Sequence, residues 1–390
     1  MEKAIKHERL LEVTLLLASA LTILANAIVA PALPQISNAF SDIKNAEILT
    51  KLMLTLPALI IALGAPLVGS LLDKAGRIKV LFVSLIIYLL GGTSGFWLGD
   101  LYSILVGRVV LGLGVAGIMT VATTLIGDYF TGAKREYFMG LQGAFIALGG
   151  FVFITIAGVL TDIDWRLTFL VYGFSLVVII LVPFALYEPK IHNQKSESTL
   201  SENQVIPKVV WLAIISAFIV TVCFYVIPVQ IPYFLQSFDG MNGNKIGMAL
   251  GGLTIAQALA SFFYKKVKMK FDYVMIFVLG FIPMAIGFSI IGLSELYWQV
   301  IIGILFCGLG VGLMMPNANL WVINLVPVHS RGKYVGGITT ATFIGMFISP
   351  IIIEPIQSWV GMNESFTILG LCCAIFVLLY FVFSKRITNK

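Results

Sequence analysis

Charge is scarce in this 390-residue chain: Lys, Arg, Asp and Glu together make up 11%, while 59% of residues are hydrophobic. A water-soluble domain of this length needs far more charge to cover its surface, so a soluble enzyme or binding module is excluded. Cysteine is nearly as rare. Cys223, Cys307, Cys372 and Cys373 all lie in apolar runs with no C-x-x-C or Cys/His spacing, which argues against disulfides and zinc and for plain packing. The three histidines, His7, His192 and His329, fall in polar segments rather than apolar ones. With no histidine cluster, paired carboxylates or nucleophile–base pair at membrane depth, enzymatic chemistry has no visible machinery. No cofactor or metal is expected, and no loop is long enough to hold a soluble signalling domain.

What the chain has instead is long apolar runs, with mean hydropathy +1.00. A spanning helix needs about 20 apolar residues. Twelve runs qualify, roughly 10–33, 51–72, 78–99, 101–126, 138–160, 167–187, 208–236, 246–266, 272–293, 296–322, 334–356 and 364–384. Met1–Arg9 followed by the run from Leu10 reads as a first span rather than a cleaved leader. With the N-terminus inside, 20 of the 25 lysines and arginines fall on the inner side. Four (Lys44, Lys51, Arg166 and Lys245) fall outside and one, Arg108, within span 4. This asymmetry predicts an even number of spans with both termini cytoplasmic, and it accounts for the net charge of +6 without nucleic acid.

The chain is predicted to be an all-α integral membrane protein, with twelve transmembrane helices in two pseudo-symmetric six-helix bundles. The bundles are 1–187 and 208–390, joined by a polar cytoplasmic linker at 188–207. An internal repeat supports this: Gly112-Leu113-Gly114-Val115 recurs as Gly308-Leu309-Gly310-Val311, and in the same register Arg135 meets Arg331 and Gly140 meets Gly336. Pro34 and Phe40 after span 1 likewise match Pro232 and Phe238 after span 7.

The most informative stretch is Gly69-Ser70-Leu71-Leu72-Asp73-Lys74-Ala75-Gly76-Arg77-Ile78-Lys79, read as a short loop between spans 2 and 3. Gly69 would let span 2 pack closely, Asp73 could accept from helix N-terminal amides, Gly76 permits a tight turn and Arg77 offers a fork to a carboxylate. The run resembles the G-x-x-x-D-x-x-G-R signature of the major facilitator superfamily, and Arg108 with Gly112 and Gly114 resembles that family's R-x-x-x-G-x-G stretch in span 4. The resemblance implies a secondary transporter working by alternating access. Its inner side would be latched by Gly69, Asp73, Gly76 and Arg77, with Asp128 as partner for Arg77. The second-half loop after span 8 keeps Lys265, Lys266, Lys268 and Lys270 but has no acid, and Asn324 stands at the counterpart of Asp128, so any charge latch is asymmetric.

The drug:proton antiporter branch of that family usually carries a Gly-Pro and a glycine pair in span 5. Here Phe153-Ile154 takes the Gly-Pro place, while Gly149, Gly150, Ala157 and Gly158 keep the small residues. No carboxylate falls at a span midpoint. Glu354 in span 11 comes nearest, and Pro355 after it disfavours helix there, so it reads either as an outer-interface acid or as a proton carrier in the outer mouth. Candidate cavity or coupling residues are Arg108, Asn26, Tyr225, Gln257, Asn317, Asn319 and Glu354. Each polar one could equally be interhelical glue, and Arg108 either a cavity residue or a structural arginine bonded to backbone carbonyls. Pro228, Pro232 and Pro316 are expected to loosen helices that bend during transport.

The expected activity is proton-coupled export of amphipathic or lipophilic small molecules from a bacterial cytoplasmic membrane by a monomer. The alternative is a transporter of an anionic metabolite or siderophore that uses Arg108, either as a facilitator or coupled to another ion. The partners are therefore a small-molecule substrate, protons and the lipid bilayer.

Overall fold

The computed structural model describes residues 2–189, 209–327 and 331–388. Among them every regular element is helical, and twelve helical segments are long and apolar enough to span a bilayer. The helices are α1 (Glu2–Ala27), α2 (Leu33–Ala39), α3 (Ala46–Ala75), α4 (Arg77–Trp97), α5 (Leu101–Tyr129), α6 (Gly132–Ile163), α7 (Ser175–Ala185), α8 (Val209–Gln236), α9 (Gly243–Lys268), α10 (Tyr273–Gly292), α11 (Tyr297–Leu325), α12 (Arg331–Val360) and α13 (Met362–Thr388). Large apolar side chains stand exposed along the helices, among them Leu67, Phe262 and Leu378. Trp97 and Trp359 project near helix ends, where an amphipathic ring suits the membrane–water boundary.

The chain forms two compact units, Met1–Asn193 with Asn242–Met248, and Gln194–Met241 with Ala249–Lys390. In the first, α4 packs on α5, α3 on α5, and α1 on α6. In the second, α10 packs on α11 and α13, and α8 on α12.

The repeat is realised in the packing, at a constant offset of 196 residues. A Cβ on Gly91 would overlap the backbone of Gly107 and Leu111, and one on Gly287 would lie 2.5 Å from Gly303 O and 2.7 Å from Cys307 Sγ. A Cβ on Gly112 would lie 2.9 Å from Pro57 O, and one on Gly308 would lie 2.8 Å from Leu253 O. Gly114 likewise faces the backbone of Ser84 and Tyr88, and Gly310 faces Gly280 and Met284. Only a residue without a side chain lets the helices approach this closely.

Several elements depart from the sequence reading. Span 1 is broken: α1 ends at Ala27, a 3-10 turn covers Ala30–Ala32 and α2 follows, because Pro31 and Pro34 cannot donate to a continuous helical ladder. Span 6 opens as a 3-10 helix over Trp165–Phe174, started by Asp164, whose carboxylate accepts from Arg166 N at 2.8 Å. Residues three apart eclipse in a 3-10 helix. Phe169 and Tyr172 therefore share one face and press onto Gly95 and Gly92 of α4, which are also three apart. The helix end expected before Pro355 is absent, since α12 continues to Val360. Prolines inside spanning helices are tolerated where neighbouring groups take up the freed carbonyl. Lys51, counted on the outer side at the start of span 2, lies inside α3, which begins earlier at Ala46; it is 1% exposed and 2.7 Å from Glu47 one turn earlier.

Candidate functional site

The Gly69–Lys79 stretch is not a loop. α3 runs to Ala75 and α4 starts at Arg77, leaving Gly76 alone between them at φ +88°. That left-handed φ favours glycine, and a Cβ there would also come within 3.2 Å of the Glu188 carboxylate. Glu188 Oε1 accepts from Arg77 N at 2.7 Å and Oε2 accepts from Ile78 N at 3.0 Å. A carboxylate thus caps the positive N-terminus of α4, the role considered for Asp73 from sequence. Arg77 is buried; its Nε donates to Asp128 Oδ2 at 3.2 Å and one terminal nitrogen to Leu72 O at 3.4 Å. The start of α4, the end of α5 and the chain leaving α7 therefore meet in one charged cluster.

A second tie holds the same place. The Tyr129 hydroxyl donates to Tyr187 O and accepts from Tyr187 N at 3.2 Å, with the rings 4.9 Å apart. Glu188, read as the first residue of a flexible linker, is thereby fixed at both of its carboxylate oxygens, while 190–208 lies outside the described residues. Near the start of α6, Lys134 bonds Glu8 and lies 3.6 Å from Glu12; the hydrogen bond to Glu8 raises the pKa of its ammonium. Asp73 lies in the last turns of α3, and its side chain is outside the described residues. Gly69 is not a close-packing point, because a Cβ there would meet nothing within 4 Å.

Arg108 is fully buried in the first unit. Its guanidinium donates to Gly91 O at 3.0 Å, Gly92 O at 2.8 Å and the Tyr172 hydroxyl at 3.2 Å. It also lies 4.8 Å from the Phe169 ring centre and 5.1 Å from that of Tyr172. Of the two readings opened by the sequence, this geometry is that of the arginine bonded to backbone carbonyls, and it does not present the guanidinium to a solvent-accessible cavity. Nε of Arg108 is buried without an acceptor. Tyr172 and Phe169 carry the cage, and the sequence signal for them was weak: two aromatics three apart, opposite two glycines three apart.

The polar candidates of the second unit separate into two groups. Asn317 is fully buried and satisfied at both ends, donating to Tyr273 O at 2.8 Å and accepting from the Tyr264 hydroxyl at 3.2 Å. Asn319 bonds Met315 O of its own helix at 3.1 Å. Tyr225 is buried in α8, and Gln257 is part-buried where Gly308 and Gly312 press onto its backbone. Glu354 is half-buried in α12, with Gln230 Nε2 of α8 at 3.5 Å from its Oε2. Asn26 is in α1, with its side chain outside the described residues.

The offset of 196 also locates the counterpart of the charged cluster. Tyr273 opens α10 as Arg77 opens α4, and Asn324 stands where Asp128 does; Asn324 Nδ2 donates to the Tyr273 hydroxyl. Tyr273 stacks on Trp321 with centroids 5.7 Å apart, and Lys268 Nζ lies 3.9 Å from its ring centre. An ion pair in the first unit is thus replaced by a neutral hydrogen bond and stacked rings in the second.

Sequence comparison matches the chain to a model of the Major Facilitator Superfamily over residues 15–243 and 214–390. The quinolone resistance protein NorA of Staphylococcus aureus is 25% identical over 303 residues, covering 74% of this chain and 75% of that protein. The niacin transporter NiaP of Acinetobacter baylyi is 31% identical over 122 residues, 31% of this chain and 28% of that one. Among solved structures, a bacterial homologue of the human lysosomal transporter Spinster, inward-facing and unoccupied, has a TM-score of 0.78 at 16% identity, covering 97% of both chains. The D-xylose-proton symporter has a TM-score of 0.77 at 14% identity, covering 94% of this chain and 96% of that one.

Proposed function

The chain belongs to the major facilitator superfamily, and from that premise we propose that this multi-pass membrane transporter exports amphipathic or lipophilic small molecules by proton antiport. The observation that carries the substrate class is the enclosure of Arg108. Anion transport through Arg108 would require its charge to face the solute, and that charge is consumed by Gly91 O, Gly92 O, Tyr172 and two aromatic rings. A path without an available cation suits neutral or cationic amphiphiles. Similarity to a quinolone resistance protein over three quarters of the chain agrees with this choice.

Two bundles, 1–187 and 208–390, rock about a site near the bilayer midplane, joined by the segment 188–207. The latch on the inner side is the Arg77–Asp128 pair, with Asp73, Gly69 and Gly76 in the same stretch and Glu188 fixing the start of α4. Glu354 is the proton carrier, with Gln230 beside it, and Asn26, Tyr225, Gln257, Asn317 and Asn319 shape or support the path. The protein acts as a monomer in a bacterial cytoplasmic membrane with both termini cytoplasmic.

The test is proton flux in proteoliposomes holding the purified protein, with neutral amphiphiles, cationic dyes and anionic metabolites added in turn, with and without a pH gradient. Proton movement triggered by neutral or cationic amphiphiles, and lost in Glu354→Gln, is the expected result. Movement triggered by anions alone overturns the substrate class. Substrate flux without proton movement overturns the coupling and leaves a facilitator or another ion. The anion reading keeps one observation in its favour, the similarity of about a third of the chain to a niacin transporter.

A further inference from the structure

Where α9 turns into α10 the chain carries four lysines in six residues, Lys265, Lys266, Lys268 and Lys270. Lys268 Nζ donates to Phe271 O at 3.2 Å and lies 3.9 Å from the Tyr273 ring centre, and Lys266 Nζ lies 5.3 Å from that of Phe263. Lys265 and Lys270 are exposed and make neither kind of contact among the described residues. Among those residues no carboxylate stands within ion-pair distance of any of the four. The one acid of the turn, Asp272, caps α10, its Oδ1 accepting from Met275 N at 2.7 Å.

The repeat identifies what is missing. At the offset of 196 residues Lys74 corresponds to Lys270, so the base is kept. The acids are not: Met269 stands at the counterpart of Asp73, Asn324 at that of Asp128 and Ser384 at that of Glu188. The first unit supplies its own anions to the start of α4, through Glu188 and Asp128, and the second has none to offer at the matching positions. Topology explains why lysines gather at this end of the helices. It does not explain the loss of all three acids. Apolar side chains stand beside the lysines: Phe262 is 79% exposed and Met269 78%, with Phe263 and Phe271 exposed as well. One span ends at Lys268 and the next begins at Tyr273, so the turn lies where hydrocarbon meets headgroups. There an apolar side chain suits the acyl region, while an ammonium on its flexible stem reaches the phosphate level.

We propose that Lys265 and Lys270, flanked by Lys266 and Lys268, bind the phosphate of an anionic phospholipid whose acyl chains lie against Phe262 and Met269. The lipid supplies to this turn the negative charge that the chain's own carboxylates supply in the first unit. A cluster of four or more bases next to a spanning helix is the arrangement that recognises anionic lipid. The site stands whatever solute is carried, and requires only that α9 and α10 span the bilayer.

The experiment titrates dioleoyl phosphatidylglycerol into the full chain purified in an uncharged detergent, with dioleoyl phosphatidylcholine as reference, and counts bound lipid by native mass spectrometry. Each lysine beside an anionic headgroup contributes about five-fold in affinity, so Lys265→Gln/Lys270→Gln should weaken phosphatidylglycerol about 25-fold. Phosphatidylcholine binding should not change. Lys265→Arg/Lys270→Arg keeps the charge and should bind phosphatidylglycerol as the wild type does. Lys74→Gln/Lys79→Gln removes the same charge from the stretch that has acids of its own, and should weaken phosphatidylglycerol far less. No loss in the first double variant, or an equal loss in the first and third, overturns the site. Glycerol phosphate is added in a separate arm, and binding as tight as that of the whole lipid overturns the lipid as occupant and leaves a free-phosphate site.

Discussion

Replacing Arg108 by methionine distinguishes a structural arginine from a transport residue. The side chain is fully buried and donates to two carbonyls and one hydroxyl. Hydrogen bonds from a charged donor contribute about 1.5–3 kcal/mol each, and the desolvation avoided by removing the charge offsets a large part of that sum. The carbonyls of Gly91 and Gly92 lie within α4, so they keep their helical partners, whereas the Tyr172 hydroxyl retains only Ala25 O at 3.5 Å. The net cost should be about 3 kcal/mol, borne by the packing of α4, α5 and the Trp165–Phe174 helix. For a unit of this size that corresponds to a fall of about 6–12 °C in the unfolding midpoint. Arg108→Lys should recover only part of it, because a single ammonium cannot reach two carbonyls and a hydroxyl in a planar fork. The assay is thermal unfolding in detergent, followed by tryptophan fluorescence, beside transport per folded molecule. An Arg108→Met protein with an unchanged midpoint but abolished transport would refute the structural assignment and return Arg108 to the solute path.

Four further outcomes follow from the same contacts. Gly91→Ala and Gly287→Ala should each lower the yield of monodisperse protein to a similar extent, since both insert a methyl group into backbone of the neighbouring helix; a large inequality would argue against equivalent packing in the two units. Asp73→Asn and Asp128→Asn should leave insertion intact and shift the resting population towards inward-facing, read as cysteine accessibility on the two faces, and unchanged accessibility in both would remove the latch. Glu188→Ala strands two amide donors at the start of α4 and should shift accessibility in the same direction as Asp128→Asn, whereas Glu188→Gln, which keeps an acceptor, should shift it less. The Ser103 side chain and the Ser103 and Tyr102 backbone amides hydrogen-bond to Asp100 and hold its carboxyl below the ordinary value of 3.8. Its stabilisation of α5 is thus complete above that value and lost as pH falls through the lowered one. The stability gap between wild type and Asp100→Ala should accordingly narrow in strong acid.

The sequence exposes most of the scaffold. Twelve apolar runs and the 196-residue repeat correspond to the observed spans and glycine contacts, because both follow from local composition and from the one residue that permits backbone contact. The Arg77–Asp128 approach was legible through family resemblance rather than spacing alone. What stayed hidden depends on chain geometry between distant segments. Glu188 looked like the first residue of a polar linker, and nothing in Tyr187-Glu188-Pro189 announces that it reaches back more than a hundred residues to the start of α4. The bonds that Asp162 accepts from the backbone amides of Gly243 and Asn244 are hidden for the same reason, since backbone amides carry no sequence mark. The 3-10 path through Trp165–Phe174 was equally invisible, because period three and period 3.6 are hard to separate over ten apolar residues.

The paired glycine contacts have a bearing on how such a chain can vary. Where two helices meet through bare backbone, the join is specified by what is missing, and any apolar side chain facing the lipid can be exchanged without disturbing it. A small set of positions, such as 91, 112 and 114 with their partners 287, 308 and 310, fixes where the rods cross. The remaining surface is then free to drift in composition, and the lining of the path can be rewritten for a new solute without the scaffold being redesigned.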